Sequence, residues 1–439
     1  MSTQLQLFEV QTNPANPKHN QIRPQDSPIH EWYRFVLSFP PHLVKDYIDK
    51  FDLPQGSVVL DPFCGTGTTL VEAKKRGYAS IGVEGNPVAH FASQTKLNWS
   101  ADPDLLRSHA QDIGDRVWDQ LEREGIDDRN LTWHGDETRL LKLFPNAQEL
   151  LLRGSISPLP LHKTLRLLEV IRNFENSRFR AYEELALAKA LYSSIGNLKF
   201  GPEVGIGKIK TDVPVVFSWL SNIYTMASDL KHVTNYPVQS EVFLGDARNV
   251  SNILTPGSID AVITSPPYPN EKDYTRTTRL ESVILGFLND RASLQSLKKG
   301  LVRSNTRGVY KGDSDDDWVA GVTKIQQLAE QIEQRRQELN KTSGFERLYA
   351  RVTKLYFGGM ARHLVDLQPF LKPGARLAYV VGDQASYLRV MIRTGQLLAE
   401  IAEPLGYEVE SIDLFRTRLA TATKEQMREE VVILKWKGY

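Results

Sequence analysis

The chain has little of several residue types that would mark a specialised class of protein. It contains one cysteine, Cys64, in 439 residues, so no intramolecular disulfide can form and we expect a reducing, cytoplasmic environment. Its nine histidines show no spacing typical of metal ligands, and we predict no metal site. No apolar run approaches the roughly 20 residues that span a bilayer, and residues 1–6 lack the pattern of a signal peptide.

The chain also lacks an excess of charge of either sign. Its net charge of +1 gives no global positive field, so any surface for nucleic acid has to be local. The hydrophobic content of 41% is that of an ordinary globular protein. Residues 1–27 are rich in Gln, Asn and Pro, and we predict a flexible N-terminal arm there.

A predicted strand followed by a glycine loop is the first informative motif. Residues 57–61 read as a buried strand, and residues 62–74 read as a glycine loop that opens a helix. Gly65 and Gly67 permit a sharp turn and the close approach of a ligand. Glu84 ends the next predicted strand, near the spacing at which an acid meets ribose hydroxyls in nucleotide-binding βαβ units. The loop is not GxGxxG, so a nucleoside without phosphates, such as S-adenosylmethionine, fits better than NAD.

The second informative motif follows a predicted strand over residues 259–263. Ser265, Pro266, Pro267 and Tyr268 stand where this strand opens into a loop. Prolines donate no backbone hydrogen bond, but their carbonyls still accept and their fixed φ angles aim those carbonyls. A serine oxygen beside such a carbonyl can hold an amino group between two acceptors, and a tyrosine offers a flat face for stacking. The motif indicates a site for a planar ring with an exocyclic amine.

Together, and in this order, these two motifs resemble those of the DNA amino-methyltransferases, which methylate cytosine N4 or adenine N6. They read DPFCGTGTT at residues 61–69 and TSPPY at residues 264–268. The resemblance covers the parts around residues 30–100 and 241–290, and more loosely 370–439. It implies S-adenosylmethionine as cofactor and double-stranded DNA as substrate, with the target base flipped out of the duplex. A cognate restriction endonuclease or another defence-system subunit is a further expected partner.

The resemblance assigns a role to each residue of the motifs. Ser265 and the Pro266 carbonyl are expected to accept from the target amine, and Tyr268, after Pro267, to stack on the base. Glu84 is expected to accept from the cofactor's ribose and Asp246 from its adenine amine. The other residues expected at the cofactor are Phe39, Asp61, Phe63, Gly65, Gly67 and Thr68.

Each role has a structural alternative. Asp61 and Glu84 can cap helices or pair with lysines, and Asp246 can serve only a Gly-Asp turn. The two prolines can simply end a strand. Cys64 lies in the cofactor loop and not in the loop that holds the base, so we interpret it as a packing residue and not as a nucleophile.

The order of predicted elements indicates an α/β fold. Strand-like segments lie near residues 57, 79, 241, 259, 375, 407 and 429 and alternate with helical segments. Alternation predicts a doubly wound parallel sheet, and the close final pair predicts one antiparallel strand at or near an edge. This is the seven-stranded sheet of class I methyltransferases, which the resemblance also implies. Asp61, Glu84, Asp246 and Ser265 would then share the crevice at the carboxyl ends of the strands.

Two segments interrupt this pattern. We predict a catalytic domain over residues 28–100 and 241–439, a mainly helical insertion over 100–240 and a smaller basic and helical insertion over 290–345. Helices are predicted over 103–124, 140–152, 160–174, 179–198 and 215–232. The larger insertion is expected to carry sequence specificity and the smaller one affinity. The candidate DNA contacts are Lys208, Lys210, Arg276, Arg303, Arg307 and Tyr310.

A site-specific DNA methyltransferase acting on cytosine N4 is therefore the favoured function. Adenine N6 stays open as the target, because it presents a similar amine. A methyltransferase for RNA or protein amides is a further alternative, although such relatives usually carry Asp or Asn where this chain has Ser265. A non-catalytic DNA-binding protein is disfavoured by the intact glycine loop and Glu84.

Overall fold

The computed structural model describes residues 21–34, 38–174, 177–201, 203–270, 272–419 and 426–438. The strands of these residues are β1 Val58–Asp61, β2 Ala79–Glu84, β3 Leu198–Lys199, β4 Gly205–Ile206, β5 Ser240–Leu244, β6 Ile259–Thr264, β7 Leu371–Gly382, β8 Tyr407–Leu419 and β9 Gln426–Trp436. The α-helices are α1 Pro41–Phe51, α2 Thr68–Lys75, α3 Pro87–Leu97, α4 Pro103–Arg123, α5 Pro145–Gln148, α6 Pro158–Asn173, α7 Arg180–Ala190, α8 Val215–His232, α9 Tyr274–Thr277, α10 Arg279–Ile284, α11 Arg291–Lys299, α12 Thr323–Glu338, α13 Tyr349–Leu367 and α14 Thr394–Ala402.

The main sheet has seven strands in the order β5-β2-β1-β6-β7-β9-β8. The pairs from β5 to β7 are parallel, while β9 runs antiparallel to both β7 and β8. Val59 and Leu60 of the interior strand β1 are fully buried, as expected where helices cover both faces of a parallel sheet. The predicted class I methyltransferase sheet is therefore confirmed, and β9 is its antiparallel strand.

The connection from β2 to β5 contains α3 to α8 and the small antiparallel hairpin β3–β4. Three predicted helices match α4, α6 and α8, but the prediction over 140–152 is wrong except for α5. Pro145 is the first residue of α5, and Gly154, at φ 83°, ends the turns that follow. The helix predicted over 179–198 is α7, which continues as a π-helical turn, Leu191–Ile195.

The helices of this connection do not form a core of their own. Most of their apolar faces join one hydrophobic cluster with Leu70 and Val71 of α2 and with the segment around Ile29 and Trp32. The Ile29 amide and the Trp32 indole both donate to Asp229 on α8, each at 2.8 Å.

Within the predicted flexible arm, residues 1–20 lie outside the described residues. The prediction is wrong for Pro24–Asp26, a short 3-10 helix whose buried Asp26 pairs with Lys45 at 2.5 Å.

The segment between α10 and α13 packs closely on the sheet domain. A 3-10 helix, Asp315–Val319, lies directly against α13. A Cβ atom added at Gly358 of α13 would stand 1.7 Å from the Asp315 carbonyl oxygen. Glycine at this position therefore lets the two backbones touch.

Candidate cofactor and base site

A crevice of about 980 Å³ opens where the parallel strands end. This volume is at the upper end of the range for small-molecule sites, about 300 to 1,000 Å³, so it has room for a nucleoside and a base. The predicted site residues that line it are Phe39, Phe63, Gly65, Thr68, Glu84, Asp246, Ser265, Pro266, Pro267 and Tyr268. The other two predicted cofactor residues, Asp61 and Gly67, are not part of this lining.

The glycine loop between β1 and α2 is held in place by its neighbours on β2 and α3. Gly65 and Gly67 have φ angles of 53° and 84°, in the left-handed region that favours glycine. The Gly65 carbonyl accepts from Ser93 Oγ at 2.7 Å. A Cβ atom at Gly67 would lie 3.0 Å from that same hydroxyl, so a larger residue would push the loop off α3.

Glu84 is the last residue of β2 and lines the crevice. Its carboxylate holds the glycine loop in place. It accepts from the Gly65 amide at 2.8 Å and from the Asn86 amide at 2.6 Å, through different oxygens. Burial raises the pKa of Glu84 to about 7, although both amide hydrogen bonds favour the charged form. Each oxygen keeps a lone pair, so further donors in the crevice would stabilise the carboxylate.

Asp61 is fully buried behind the loop and joins the ends of β1 and β6. Its Oδ1 accepts from Thr264 Oγ1 at 2.6 Å and from the Phe63 amide at 3.1 Å. Burial raises the pKa of Asp61 to about 6. This geometry puts its contacts in the protein interior, next to the loop and away from the crevice surface.

Cys64 is buried between the loop and β2. A Cβ atom added at Gly82 would lie 2.9 Å from its Sγ and 2.5 Å from Leu70 Cδ1. Burial raises the pKa of the Cys64 thiol well above its usual range, which disfavours the nucleophilic thiolate. These contacts are those of a packing residue.

The Asp246 carboxylate lines the crevice, but it is also paired. Arg248 donates to it through Nη2 at 2.6 Å and through Nε at 2.9 Å. The buried Arg248 guanidinium also contacts Asp315 through Nη1. Arg248 therefore neutralises the charge of Asp246 and holds its side chain at the crevice. Through Asp315, Arg248 also connects Asp246 to the segment after α11. The sequence analysis did not identify Arg248.

The Ser-Pro-Pro-Tyr loop leaves β6 on the other side of the crevice. Ser265 Oγ donates to the Val380 carbonyl at 3.1 Å, which uses its hydrogen and leaves its oxygen as an acceptor. A Cβ atom at Gly382, the last residue of β7, would stand 3.0 Å from Tyr268 Cε2. The tyrosine ring therefore rests on glycine at the end of β7, and burial raises the pKa of its hydroxyl.

Other lining residues lie outside the two sequence motifs. Arg416 of β8 and Glu429 of β9 form a two-pronged ion pair at 2.5 and 2.7 Å. The Asn86 side chain caps α3 by accepting from the Val88 amide at 3.1 Å. Sequence reasoning missed these roles. The Asn-Pro start of α3 is a signal that could have revealed its cap, whereas the ion pair depends on strand register.

Two of the candidate DNA contacts are corrected by the structure. Arg303 is 5% exposed, pairs with Asp313 at 2.8 and 2.9 Å and donates to backbone carbonyls, so it stabilises its own loop. Lys210 donates to the carbonyls of Ser194 and Gly196, both at 2.7 Å. Their charges are used within the protein, and we no longer expect either residue to meet a phosphate.

The remaining candidates are placed differently. Lys208 is exposed on the segment after β4. Arg276 and Arg307 both approach Glu203, a lining residue between β3 and β4, at 3.8 and 3.4 Å. The Tyr310 ring lies 5.7 Å from Lys299 Nζ. Arg276 and Arg307 therefore both lie beside Glu203, a residue of the crevice lining.

The described ranges contain no group of three or more His, Cys, Asp or Glu side chains placed to hold a metal ion. None of the helices in them combines the length and apolar character that crossing a bilayer requires.

The strand order is that of the class I methyltransferase fold, and the family match below supports S-adenosylmethionine as the cofactor. The residues present fit this cofactor, because the loop offers a close backbone approach and Glu84 an acceptor for hydroxyls. A family model described as DNA methylase matches residues 5–94. This match and the relatives below show that the chain is similar to the DNA amino-methyltransferases.

Two relatives and one solved structure illustrate the similarity. The type II methyltransferase M.BsoBI of Geobacillus stearothermophilus is 25% identical over 90% of this chain and 82% of its own length. The type II methyltransferase M.AvaI of Nostoc is 23% identical over 91% and 83%. The crystal structure of TrmN from Thermus thermophilus aligns with a TM-score of 0.31 and 12% identity, covering 94% of this chain and 54% of that chain. The fold assignment rests on strand order and not on that distant alignment.

Proposed function

We propose that this protein is a site-specific DNA methyltransferase that transfers a methyl group from S-adenosylmethionine to N4 of a flipped cytosine. The observation that carries the proposal is the position of Ser265, a crevice-lining residue whose hydroxyl gives its hydrogen to the Val380 carbonyl. It shares that crevice with the glycine loop and Glu84. An amine acceptor and a nucleoside site are thus adjacent.

The chain's own groups supply positioning and electrostatics. Glu84 is assigned to the ribose hydroxyls, Asp246 to the adenine amine, and Phe39, Phe63 and Thr68 to the surrounding walls. S-adenosylmethionine supplies a methyl group on a positively charged sulfur. No covalent intermediate with the protein is required, so rate enhancement comes from orientation and from preorganised acceptors.

On the substrate side, Ser265 Oγ and the Pro266 carbonyl accept the two hydrogens of the amine. This arrangement leaves the nitrogen lone pair free to point out of the amine plane. The same two acceptors stabilise the positive charge that develops on nitrogen as its bond to the methyl carbon forms and the bond from that carbon to sulfur breaks. The sulfur leaves as a neutral thioether, and the methylated amine then loses one proton to solvent. Pro267 limits the freedom of the loop, and Tyr268 stacks on the base.

Cytosine is favoured over adenine because a serine precedes the two prolines. RNA and protein-amide methyltransferases with similar loops usually carry Asp or Asn there. Adenine N6 is the second candidate, since the family model describes DNA methylases without naming the base.

We assign the helical connection over residues 100–240 to sequence recognition and the segment over 290–345 to affinity. Arg276 and Arg307, both beside the lining residue Glu203, are the cations that we assign to DNA phosphates. Grafting residues 100–240 from a relative with another target should change the methylated sequence. A folded graft that methylates the original sequence would contradict this assignment.

Single-molecule sequencing of DNA from cells that express the chain tests target and site together. The proposal predicts N4-methylcytosine within one defined sequence, and N6-methyladenine would favour the second candidate. A chain that methylates RNA or protein but not DNA in tritium-transfer assays would contradict both.

A further inference from the structure

A row of three residues crosses the sheet beside Tyr268. Gly382 of β7 pairs with Glu429 of β9, and Glu429 pairs in turn with Arg416 of β8. A Cβ atom added at Gly382 would lie 3.0 Å from Tyr268 Cε2 and 3.3 Å from Glu429 Cγ. Tyr268 and the Glu429 side chain therefore meet on the same face of the sheet, above Gly382.

An irregularity in β8 decides which residue faces Glu429. Leu414 pairs with Glu430, but the next pair joins Arg416 to Glu429, so Phe415 is an extra residue on β8. Such bulges re-aim side chains beside active sites. Without the extra residue, Phe415 would stand opposite Glu429. The bulge thus brings a guanidinium to the row that carries Tyr268.

The Arg416 guanidinium is held at one edge and available at the other. Its Nε and Nη2 donate to the two oxygens of Glu429 at 2.5 and 2.7 Å. Its Nη1 makes no hydrogen bond to any part of the chain that the structure describes. Arginine has five donors in a planar fork, so a second fork remains between Nη1 and Nη2. Both residues of the pair line the crevice.

The free fork matches one base edge better than another. Beside its amine, cytosine presents two acceptors on its Watson–Crick edge, N3 and O2. Adenine presents N1 and then a C–H group. A guanidinium can therefore make two hydrogen bonds to a cytosine whose amine is held by Ser265, but only one to an adenine.

We infer that Arg416, oriented by Glu429, is a specificity-determining residue that donates to N3 and O2 of the flipped cytosine. The inference rests on the proposed function, because it assumes a base held by the Ser-Pro-Pro-Tyr loop. It adds to the proposed function a residue that distinguishes cytosine from adenine by its hydrogen bonds to the base.

Kinetics on two duplexes test the inference. Each carries the recognised sequence, with either deoxycytidine or its O2-lacking 2-aminopyridine C-nucleoside at the target position. Losing one of the two hydrogen bonds of this contact should lower kcat/KM of the wild type on the analogue by about fivefold. R416K keeps a charge for Glu429 but has no fork, so it should lose a similar factor on cytosine and show no further loss on the analogue.

Matched controls distinguish the loss of the Arg416 contact with the base from a loss of folded stability. R376K changes another arginine of the sheet, whose partner Glu410 lies outside the crevice lining, and should behave as wild type. R416Q/E429Q removes the ion pair as a unit and avoids an unpaired carboxylate if R416K does not fold. It should likewise lose the cytosine-to-analogue difference. Affinity for S-adenosylmethionine should stay within about twofold of wild type in all variants.

Three results would overturn the inference. The first is an equal kcat/KM of the wild type on both duplexes. The second is a wild-type kcat/KM of R416K on the cytosine duplex. The third is a further loss of kcat/KM when R416K acts on the analogue, as large as the loss that the wild type shows there. In each case N4-methylcytosine would still form, so the proposed function would stand. If the wild type forms N6-methyladenine instead, the proposed target itself is wrong and the inference falls with it.

Discussion

The Glu84 carboxylate makes cofactor binding sensitive to pH near neutrality. Its pKa is raised to about 7 by burial, from an ordinary value of 4.5. In the free protein this shift favours the neutral carboxyl, so its contribution to stability is present below pH 4.5 and is lost as the pH rises through 7. Ribose hydroxyls donate best to the charged form. Binding should therefore lower this pKa and release a proton near pH 7.

The size of the effect follows from the two states of the carboxyl. About a tenth of Glu84 is ionised at pH 6 and about nine tenths at pH 8. The part of the affinity that needs the carboxylate is therefore about tenfold weaker at pH 6 than at pH 8. A hydrogen bond to a charged group contributes about 1.5 to 3 kcal/mol. E84A should therefore weaken S-adenosylmethionine binding at pH 8 by at least about tenfold.

Titration calorimetry from pH 6 to 8.5, in buffers with different ionisation enthalpies, measures both affinity and proton release. E84Q is the critical comparison, because it keeps the size of the side chain but cannot titrate, and any pH dependence that remains belongs to the cofactor or to other groups. E410Q, which changes a residue outside the crevice lining, should match wild type. Identical pH profiles for wild type and E84Q, or full affinity in E84A, would refute the reasoning.

Three further predictions concern other parts of the structure. S265A/Y268A should abolish methyl transfer and leave cofactor affinity near wild type by calorimetry; normal methylation would remove the loop from the mechanism. R307A should weaken DNA binding similarly for all sequences and lower the salt slope by about 1, and an unchanged slope would exclude a phosphate contact. G358A should lower the unfolding temperature by several degrees, because its Cβ would overlap the Asp315 carbonyl; an unchanged temperature in calorimetric scans would show that the contact relaxes.

The positions of the seven strands could be predicted because each is a short run of β-branched or aliphatic residues between turn signals. The pairing of the strands could not. The contact between Arg416 and Glu429 depends on one extra residue in β8, and a shift of one residue would put Phe415 in its place. For the same reason no local pattern marked the ends of β8 and β9 as part of the site.

The sequence shows which side chains are positively charged, but it does not show which groups of the folded protein pair with them. Arg303 and Lys210 looked suited to phosphates, yet one pairs with Asp313 and the other donates to backbone carbonyls. The positions of the glycine loop and of Ser265 at the ends of strands were easier to predict, because backbone freedom and strand ends are local properties. Arg248 was missed because its link to Asp315 spans distant parts of the chain.

Nucleoside mass spectrometry of DNA methylated by the purified chain tests the central claim most directly. Duplex DNA is incubated with the protein and S-adenosylmethionine carrying a deuterated methyl group, and then digested to nucleosides. The account predicts labelled N4-methylcytosine from wild type and none from S265A/Y268A. Labelled N6-methyladenine, or no labelled nucleoside from a protein that binds the cofactor, would contradict it.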